Sequence, residues 1–154
     1  MGMSAAAGGD GVTDPVPHLE YEVSEGVATI RLNRPDRHNA LSPERVVRLA
    51  EAWTDVRDNP DVRVALLEGA GYRSFCAGAD LARLIPLFTR AREPDDEWDE
   101  RLLADRSMMS TALLRGFELY KPVVVAITAT PWPVAPRSCW APTSGSPAPR
   151  PPSG

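Results

Sequence analysis

An apolar run that gives way to prolines divides this sequence into two parts. Val123 to Ile127, introduced by Lys121 and Pro122, are β-branched or small and predict a buried β-strand. Prolines follow at positions 131, 133 and 136, and a buried strand cannot continue through them because proline lacks the N–H that a β-ladder needs. Eight of the 16 prolines fall within residues 128–154. We therefore predict a folded part over residues 17–127 and an irregular tail over residues 128–154, with residues 1–16 as a flexible leader.

The composition narrows the class of protein without naming a function. The 154 residues are 43% hydrophobic and 25% charged, which is typical of one globular domain. A net charge of −4 argues against a large nucleic-acid footprint. Neither a signal peptide nor a membrane-spanning apolar run is present, so we expect a cytoplasmic protein with no membrane partner. The two cysteines, Cys76 and Cys139, have no metal-ligand spacing.

Residues 18–71 predict a strand, helix, strand order. Residues 18–32 alternate apolar and polar side chains around a Ser-Glu-Gly turn, as in a β-hairpin whose second strand is Val27 to Leu32. Ser42 and Pro43 then mark a helix start, as N-cap and first helical residue. Val62 to Gly71 predict an interior strand, so the order favours an α/β fold. The helix is expected to bury Val46, Leu49, Ala50, Trp53 and Val56 and to direct Arg45, Arg48, Glu51 and Asp55 away from that face.

A turn of small residues, Cys76 to Ala79, is the strongest local indication of a binding site. Asp80 is expected to cap a helix that begins near Leu81, which would leave the backbone N–H of Ala79 at a helix N-terminus, where negative charge is favoured. The alternative is a turn that only caps a helix. Cys76 itself is expected to be a small buried apolar residue rather than a nucleophile.

Beyond this turn the pattern predicts one interrupted and one long helix. Pro86 is expected to interrupt the helix that Asp80 begins, and a helix is predicted over about Glu97 to Glu118. Met108 and Met109 on its apolar face could line a flexible acyl pocket, but core packing is the favoured interpretation.

Three ordered segments resemble the enoyl-CoA hydratase/isomerase, or crotonase, superfamily. They are VATIRLNRPDRHNAL at residues 27–41, FCAGADL at residues 75–81 and KPVVVAI at residues 121–127. The resemblance covers most of residues 18–127. It implies a crotonase-like α/β fold, a spiral of β-β-α units, here truncated and followed by an irregular C-terminal tail.

The resemblance also implies which residues would form the site. In the family an acyl-CoA thioester places its carbonyl oxygen between two backbone N–H donors, an oxyanion hole that stabilises the thioester enolate. Ala79 would supply the first donor, and Gly78 would let the backbone approach closely. Arg37, His38 and Ala40 would lie beside the adenine and phosphates of CoA, and Asp80 and Leu81 beside the adenine and pantetheine. CoA belongs to the substrate, so no separate cofactor is expected, and no metal.

The tail departs from the family. After this strand the family continues with Asn-Gly, a glycine cluster that donates the second oxyanion N–H and, in hydratases, usually a glutamate; none of these occurs in TATPWPVAPRSCWAPTSGSPAPRPPSG at residues 128–154. In a reading frame displaced by one nucleotide, each codon combines the third base of one visible codon with the first two bases of the next. That frame can encode NGHALAGGTEILLGTDIRVAGAEATFG, which has the family's features. We hypothesise a single-base deletion after the codon of Ile127 and a premature end at Gly154.

Two classes of function follow from the sequence. The first is that the intact gene would encode an acyl-CoA enzyme, and the glutamate of the displaced frame favours hydration of 2-enoyl-CoA as its reaction. The 154-residue chain itself is expected to be inactive and incompletely folded. The alternatives are a non-catalytic acyl-CoA-binding or interaction module and a non-functional truncated product. A proline-rich ligand for partner domains is a weaker interpretation of the tail. Intact family members form trimers or hexamers, which this chain is not expected to do.

Overall fold

The computed structural model describes residues 16–127, so the predictions for residues 1–15 and 128–154 lie outside the described residues. In chain order the elements are β1 (Leu19–Ser24), β2 (Val27–Leu32), a 3₁₀-helix (Pro35–Arg37), α1 (Pro43–Asp58), β3 (Val64–Gly69), α2 (Leu84–Phe88), α3 (Glu97–Ala104), α4 (Ser107–Ala112) and β4 (Val123–Ala126). The bounds of the predicted second strand, Val27 to Leu32, match β2 at both ends.

The strands β1 and β2 form the predicted hairpin. Ser24 pairs with Val27 across a two-residue turn, and both turn residues have positive φ, 51° at Glu25 and 84° at Gly26. Such a turn matches the right-handed twist of the two strands, and glycine adopts that conformation without steric cost. The local sequence therefore fixes both the position of the hairpin and its register.

The described strands form one sheet in the order β1-β2-β3-β4. The hairpin is antiparallel, whereas β2, β3 and β4 are parallel, with Ile30 opposite Leu67 and Leu67 opposite Val125. Parallel neighbours need a crossover, and α1 supplies the one between β2 and β3. The β-β-α unit and the mixed α/β class expected from the sequence are thus present.

The helix α1 covers one face of the sheet. The Ser42 hydroxyl accepts the Arg45 amide at 3.3 Å and Pro43 is the first helical residue, as predicted. The five apolar residues expected on the inner face are all buried. The indole N–H of Trp53 donates to the Ala112 carbonyl at 3.2 Å, which joins α1 to α4.

The prediction for Arg45 was wrong, since its side chain is fully buried. Its Nε and Nη2 donate to the His18 carbonyl at 3.0 and 2.7 Å, and its Nη1 donates to the Ala40 carbonyl at 3.1 Å. Burial lowers the pKa of Arg45 to about 10, so the guanidinium stays charged at neutral pH. Helical periodicity suggested an outward position, but two carbonyl groups that need donors hold the side chain inward.

The predicted helix over Glu97 to Glu118 is two shorter helices. The Asp105 carboxylate accepts the backbone N–H of Ser107 at 2.9 Å and its hydroxyl at 2.6 Å, a local bond that competes with continuous helix. The chain then leaves α4 through a left-handed residue, Leu114, with φ of 54°. Met108 and Met109 are half-buried and pack against the core, in line with the core interpretation.

The helix expected near Leu81 begins three residues later. The Asp80 carboxylate accepts the backbone N–H groups of Ala82 and Arg83 at 2.9 and 3.1 Å, so it caps as predicted, but residues 81–83 form a turn and α2 starts at Leu84. Pro86 does not interrupt the helix, because it lies in the first turn of α2, where its missing N–H has no helical acceptor to lose. No helix within residues 16–127 has the length and apolar character needed to cross a bilayer.

The strand β4 occurs where the sequence predicted it, but much of it is open. The exposed fractions are 54% for Val124, 45% for Val125 and 67% for Ile127. Within residues 16–127 no strand pairs with β4 on the side away from β3. A strand with the composition of an interior strand therefore lies at an edge in the described part of the protein.

Candidate functional site

Two loops meet at the carboxyl ends of β2 and β3. The first loop, residues 33–42, leaves β2 through the 3₁₀-helix and two consecutive left-handed residues, His38 and Asn39, with φ of 51° and 53°. The second loop, residues 70–83, leaves β3 and contains the small-residue turn. Parallel strands bring their carboxyl ends to one edge of the sheet, where ligands of α/β folds bind.

Asn39 joins the two loops from inside. Its side chain is fully buried, and its Oδ1 accepts the backbone N–H of Arg34 at 2.9 Å. Its Nδ2 donates to the carbonyl groups of Ala70 and Ser74 at 2.9 and 2.8 Å. Asparagine is one of the few residues other than glycine that tolerate the left-handed region. Asn39 thus tolerates the left-handed backbone conformation at this position, and its side chain supplies the hydrogen bonds that connect the two loops.

Backbone hydrogen bonds then align residues 38–41 with residues 77–80. The Ala77 amide donates to the His38 carbonyl at 3.0 Å, the Leu41 amide to the Gly78 carbonyl at 2.7 Å, and the Asp80 amide to the Leu41 carbonyl at 2.9 Å. The result is a parallel bridge between Leu41 and Ala79. The bridge brings together two segments that lie about forty positions apart in the chain.

The geometry of this bridge leaves the N–H of Ala79 free. In a parallel bridge the residues before and after the paired residue make the hydrogen bonds, so the bonds to Leu41 come from Gly78 and Asp80, and Ala79 turns its own N–H away. Within residues 16–127 that N–H donates no hydrogen bond. Ala79 is exposed, and Gly78 beside it has φ of 87° with no atom near the position of a Cβ. The site offers a fixed, uncovered backbone donor.

Asp80 anchors the turn on the other side of Ala79. Besides capping residues 81–83, its Oδ2 accepts Nη1 of Arg34 at 2.8 Å, and both side chains are largely buried. Burial alone would raise the pKa of the Asp80 carboxyl, but the hydrogen bonds from Arg34 and from the amides of Ala82 and Arg83 outweigh it and lower that pKa below its ordinary value. Asp80 is therefore ionised at neutral pH and committed to holding the turn.

The structure gathers the residues predicted for the site, although their environments differ. Arg37 is exposed and lies 3.8 Å from the carboxylate of Asp36, and His38 is exposed. The Ala40 carbonyl is occupied by Arg45. Leu81 is 79% exposed. Gly78, Ala79 and Asp80 form the turn that lies between the loop residues Arg37, His38 and Ala40 on one side and Leu81 on the other.

Sequence reasoning missed Arg34 and Asn39, although both lie within the segment that carried the resemblance. A polar residue at the end of a strand and an Asn in a loop between a strand and a helix are weak signals, because most such residues are exposed. Cys76 packs against the core, although it is half-buried rather than buried as expected. No group of three or more metal-ligating side chains occurs among residues 16–127.

Open grooves elsewhere do not coincide with this turn. Two grooves of about 630 and 620 Å³ run along α1, one against α4 and one against β1. A smaller pocket of about 260 Å³ lies next to the junction, between the 3₁₀-helix and residues 70–74. None of the three includes Ala79, so among the described residues the free N–H lies outside these grooves.

Comparisons with known proteins agree with this architecture. The profile of the family described as enoyl-CoA hydratase/isomerase matches residues 22–113. The (E)-benzylidenesuccinyl-CoA hydratase of Thauera aromatica is 39% identical over 109 residues, which are 71% of this chain and 38% of that protein. The chain thus spans well under half the length of this curated relative.

Solved structures give the same result for the fold. The Pseudomonas aeruginosa protein PA4980 superposes with a TM-score of 0.55 at 31% identity, over 73% of this chain and 44% of that one. An enoyl-CoA hydratase from Mycobacterium marinum superposes with a TM-score of 0.56 at 30% identity, over 71% of this chain and 47% of that one. Since the family profile covers more than half of the residues and the fold matches, the chain belongs to the enoyl-CoA hydratase/isomerase family.

Proposed function

We propose that residues 17–127 carry the acyl-CoA-binding half of an enoyl-CoA hydratase/isomerase-like site, in which the Ala79 N–H donates to the thioester carbonyl oxygen. The observation that carries the proposal is the free, fixed N–H of Ala79 on the bridge to Leu41. A donor that is already aimed needs little reorganisation when charge develops on the oxygen, and loss of one such donor typically costs about 100- to 1000-fold in rate.

The surroundings suit a nucleotide-bearing thioester. Arg37 is exposed and available to a phosphate of CoA, with His38 and the backbone at Ala40 beside it. On the other side of the turn, the exposed Leu81 offers apolar surface to the adenine or pantetheine. Since the Asp80 carboxylate is engaged by Arg34, Asp80 would face the ligand with its backbone. This division of roles supports binding through both loops.

Hydration of 2-enoyl-CoA is the reaction we propose for the intact gene. Water would add across the double bond while the thioester enolate is held in the oxyanion hole, and the glutamate of the displaced reading frame would move the proton. The name of the Thauera aromatica relative, a hydratase, supports this choice within the family. The visible sequence of residues 128–154 has neither that glutamate nor the glycine cluster. We therefore propose that the 154-residue chain binds but does not turn over, remains monomeric and resides in the cytoplasm.

Two other outcomes define the alternatives. Binding without turnover, retained when the reading frame is restored, would indicate a non-catalytic acyl-CoA-binding module. Absence of both binding and cooperative unfolding would indicate a non-functional truncated product. Measurable hydration of crotonyl-CoA by the purified 154-residue chain would contradict our proposal of inactivity.

The role of Ala79 is tested by comparing two ligands that differ only in the carbonyl group. We expect butyryl-CoA to bind about fivefold more tightly than its S-butyl thioether analogue, as one net hydrogen bond of about 1 kcal/mol implies. Ala79→Pro removes the N–H and should abolish this preference, whereas Ala79→Gly keeps the N–H and should preserve it. Calorimetric titration measures both affinities. Equal preference in the proline and glycine variants would refute the assignment of the donor.

A further inference from the structure

A small pocket lined by residues of α2, α3 and the chain on either side of α3 shares no lining residue with the proposed site. Its volume is about 270 Å³, and among the described residues its lining includes three arginines, Arg90, Arg92 and Arg106, and one carboxylate, Glu93. None of residues 37–40 or 78–81 lines it. Three guanidinium groups beside one carboxylate leave an excess of positive charge around this cavity.

Arg92 is held in place as one wall of the pocket. Its Nη1 and Nη2 donate to the two carboxylate oxygens of Asp99 at 2.6 and 2.7 Å. Its Nε donates to the Arg83 carbonyl at 3.1 Å, and its Nη1 donates also to the Glu93 carbonyl at 3.0 Å. Asp99 is fully buried, so this ion pair fixes the wall and balances the charge of Arg92. The excess positive charge therefore comes from the other two arginines.

Arg90 and Arg106 have no partner for their charges within residues 16–127. Both residues are exposed, and neither forms an ion pair or a side-chain hydrogen bond with another described residue. The guanidinium of Arg106 lies 6.0 Å from the centre of the Phe88 ring, a contact that leaves its N–H donors available. Two like charges that line one cavity repel each other, and an anion between them would relieve that repulsion.

The backbone at Arg90 has a conformation that usually belongs to glycine. Its φ is 59°, and the amides of Arg90 and Ala91 donate to the carbonyl groups of Leu87 and Pro86 at 3.3 and 2.8 Å. This is the Schellman motif that ends α2, and glycine is the usual residue at its left-handed position. An arginine is strained there, so the need to end the helix does not explain this side chain. Strained residues of this kind cluster at ligand sites.

We propose that this pocket binds a small organic anion, whose carboxylate or phosphate group lies between Arg90 and Arg106. Guanidinium groups suit such oxyanions because their N–H donors match the spacing of the oxygens. Leu87, Leu103 and Pro94 also line the pocket and offer apolar surface to the carbon skeleton of the ligand. Pockets for drug-sized ligands have volumes of roughly 300–1,000 Å³, so this one suits a smaller molecule. The proposal does not depend on acyl-CoA binding.

The test titrates the isotope-labelled 154-residue chain with phenyl phosphate at constant ionic strength and follows the amide chemical shifts by NMR. Saturable shifts should concentrate in residues 87–94 and 103–106. A second titration with benzoate shows whether the pocket prefers a phosphate or a carboxylate. Benzyl alcohol is the uncharged control, and it should bind at least about tenfold more weakly than the better of the two anions.

Four variants test which residues bind the anion. Arg90→Gly and Arg106→Gln should each weaken binding by about tenfold, as expected for the loss of one charge-assisted hydrogen bond. Glycine suits the left-handed backbone at position 90, so lost binding in Arg90→Gly cannot be attributed to unfolding. Glu93→Gln removes a negative charge from the lining and should tighten binding. Arg115→Gln, the matched control, removes the same charge from an exposed arginine outside the pocket and should leave the affinity unchanged.

Four results would overturn the proposal. They are the absence of saturable shifts, shifts centred on residues 37–40 and 78–81, an equal loss of affinity in Arg115→Gln and Arg90→Gly, and equal affinities for benzyl alcohol and both anions. The second of these would place the anion at the proposed acyl-CoA site instead. Failure of the 154-residue chain to bind an acyl-CoA would leave the anion pocket unaffected, so the two proposals fail separately.

Discussion

Replacement of Asn39 is expected to disconnect the two loops that form the site. Asn39→Ala removes three hydrogen bonds at a fully buried position, those with Arg34, Ala70 and Ser74. A buried polar group left without its partner costs about 1–3 kcal/mol, and an alanine at the φ of 53° found there costs roughly 1–2 kcal/mol more. Allowing for partial relaxation and entry of water, we expect a loss of about 3–5 kcal/mol in the free energy of unfolding.

Two companion variants separate the backbone contribution from the hydrogen bonds. Asn39→Gly loses the same three bonds but adopts positive φ freely, so it should be about 1 kcal/mol more stable than Asn39→Ala. Asn39→Asp keeps the acceptor for the Arg34 amide but places a carboxylate oxygen against two carbonyl groups. A buried carboxylate that faces carbonyl oxygens is repelled by them and has no donor to pair with. We therefore expect Asn39→Asp to be at least as destabilised as Asn39→Gly.

Urea unfolding followed by circular dichroism measures these differences. Hydrogen exchange at the amides of Ala77, Leu41 and Asp80 reports on the bridge itself, and these amides should lose protection in all three variants. If Asn39→Ala were within about 0.5 kcal/mol of the unmodified chain, or if the bridge amides kept their protection, the argument that Asn39 holds the junction would be refuted.

Three further predictions rest on other parts of the structure. Gly69→Ala places a Cβ 2.9 Å from the backbone oxygen of Phe75 and should cost clearly more stability than Gly78→Ala, which meets no atom and carries only the strain of its positive φ; equal urea midpoints would contradict this. Trp53→Phe removes the indole N–H and leaves the Ala112 carbonyl of α4 without its donor, so it should lower the free energy of unfolding by about 1–3 kcal/mol in the same assay. An almost unchanged free energy of unfolding would contradict this. Because the pKa of Asp80 is lowered by folding, its contribution to stability is present above its unfolded pKa of about 4 and is lost as the pH falls through the lower folded value; Asp80→Asn should therefore be less stable at neutral pH and less sensitive to acid, and parallel pH profiles would refute the assignment.

Much of the framework was predictable from local sequence. The Glu25-Gly26 turn places the hairpin, because few residue pairs adopt positive φ twice. Ser42 and Pro43 place the start of α1, because a hydroxyl cap and a residue without an N–H suit that one position. These features depend on a few neighbouring residues, which is why the sequence sufficed.

Other features were not predictable because distant groups decide them. Periodicity directed Arg45 outward, yet the carbonyl groups of His18 and Ala40 draw it into the core. An uninterrupted apolar pattern suggested one helix where the Asp105 side chain produces two. In each case a polar group found a better hydrogen-bonding partner than the regular element offered.

The family, the order of the strands, the start of α1 and the small-residue turn at Gly78 and Ala79 could all be predicted from the sequence alone. Only the tertiary structure showed that this turn is paired with Leu41, that the pairing directs the Ala79 N–H outward, and that Asn39 and the Arg34–Asp80 ion pair hold both loops in place. The reason is physical. Local propensity depends on adjacent residues, whereas the direction of a backbone donor is set by hydrogen bonds between segments that the chain brings together only when it folds.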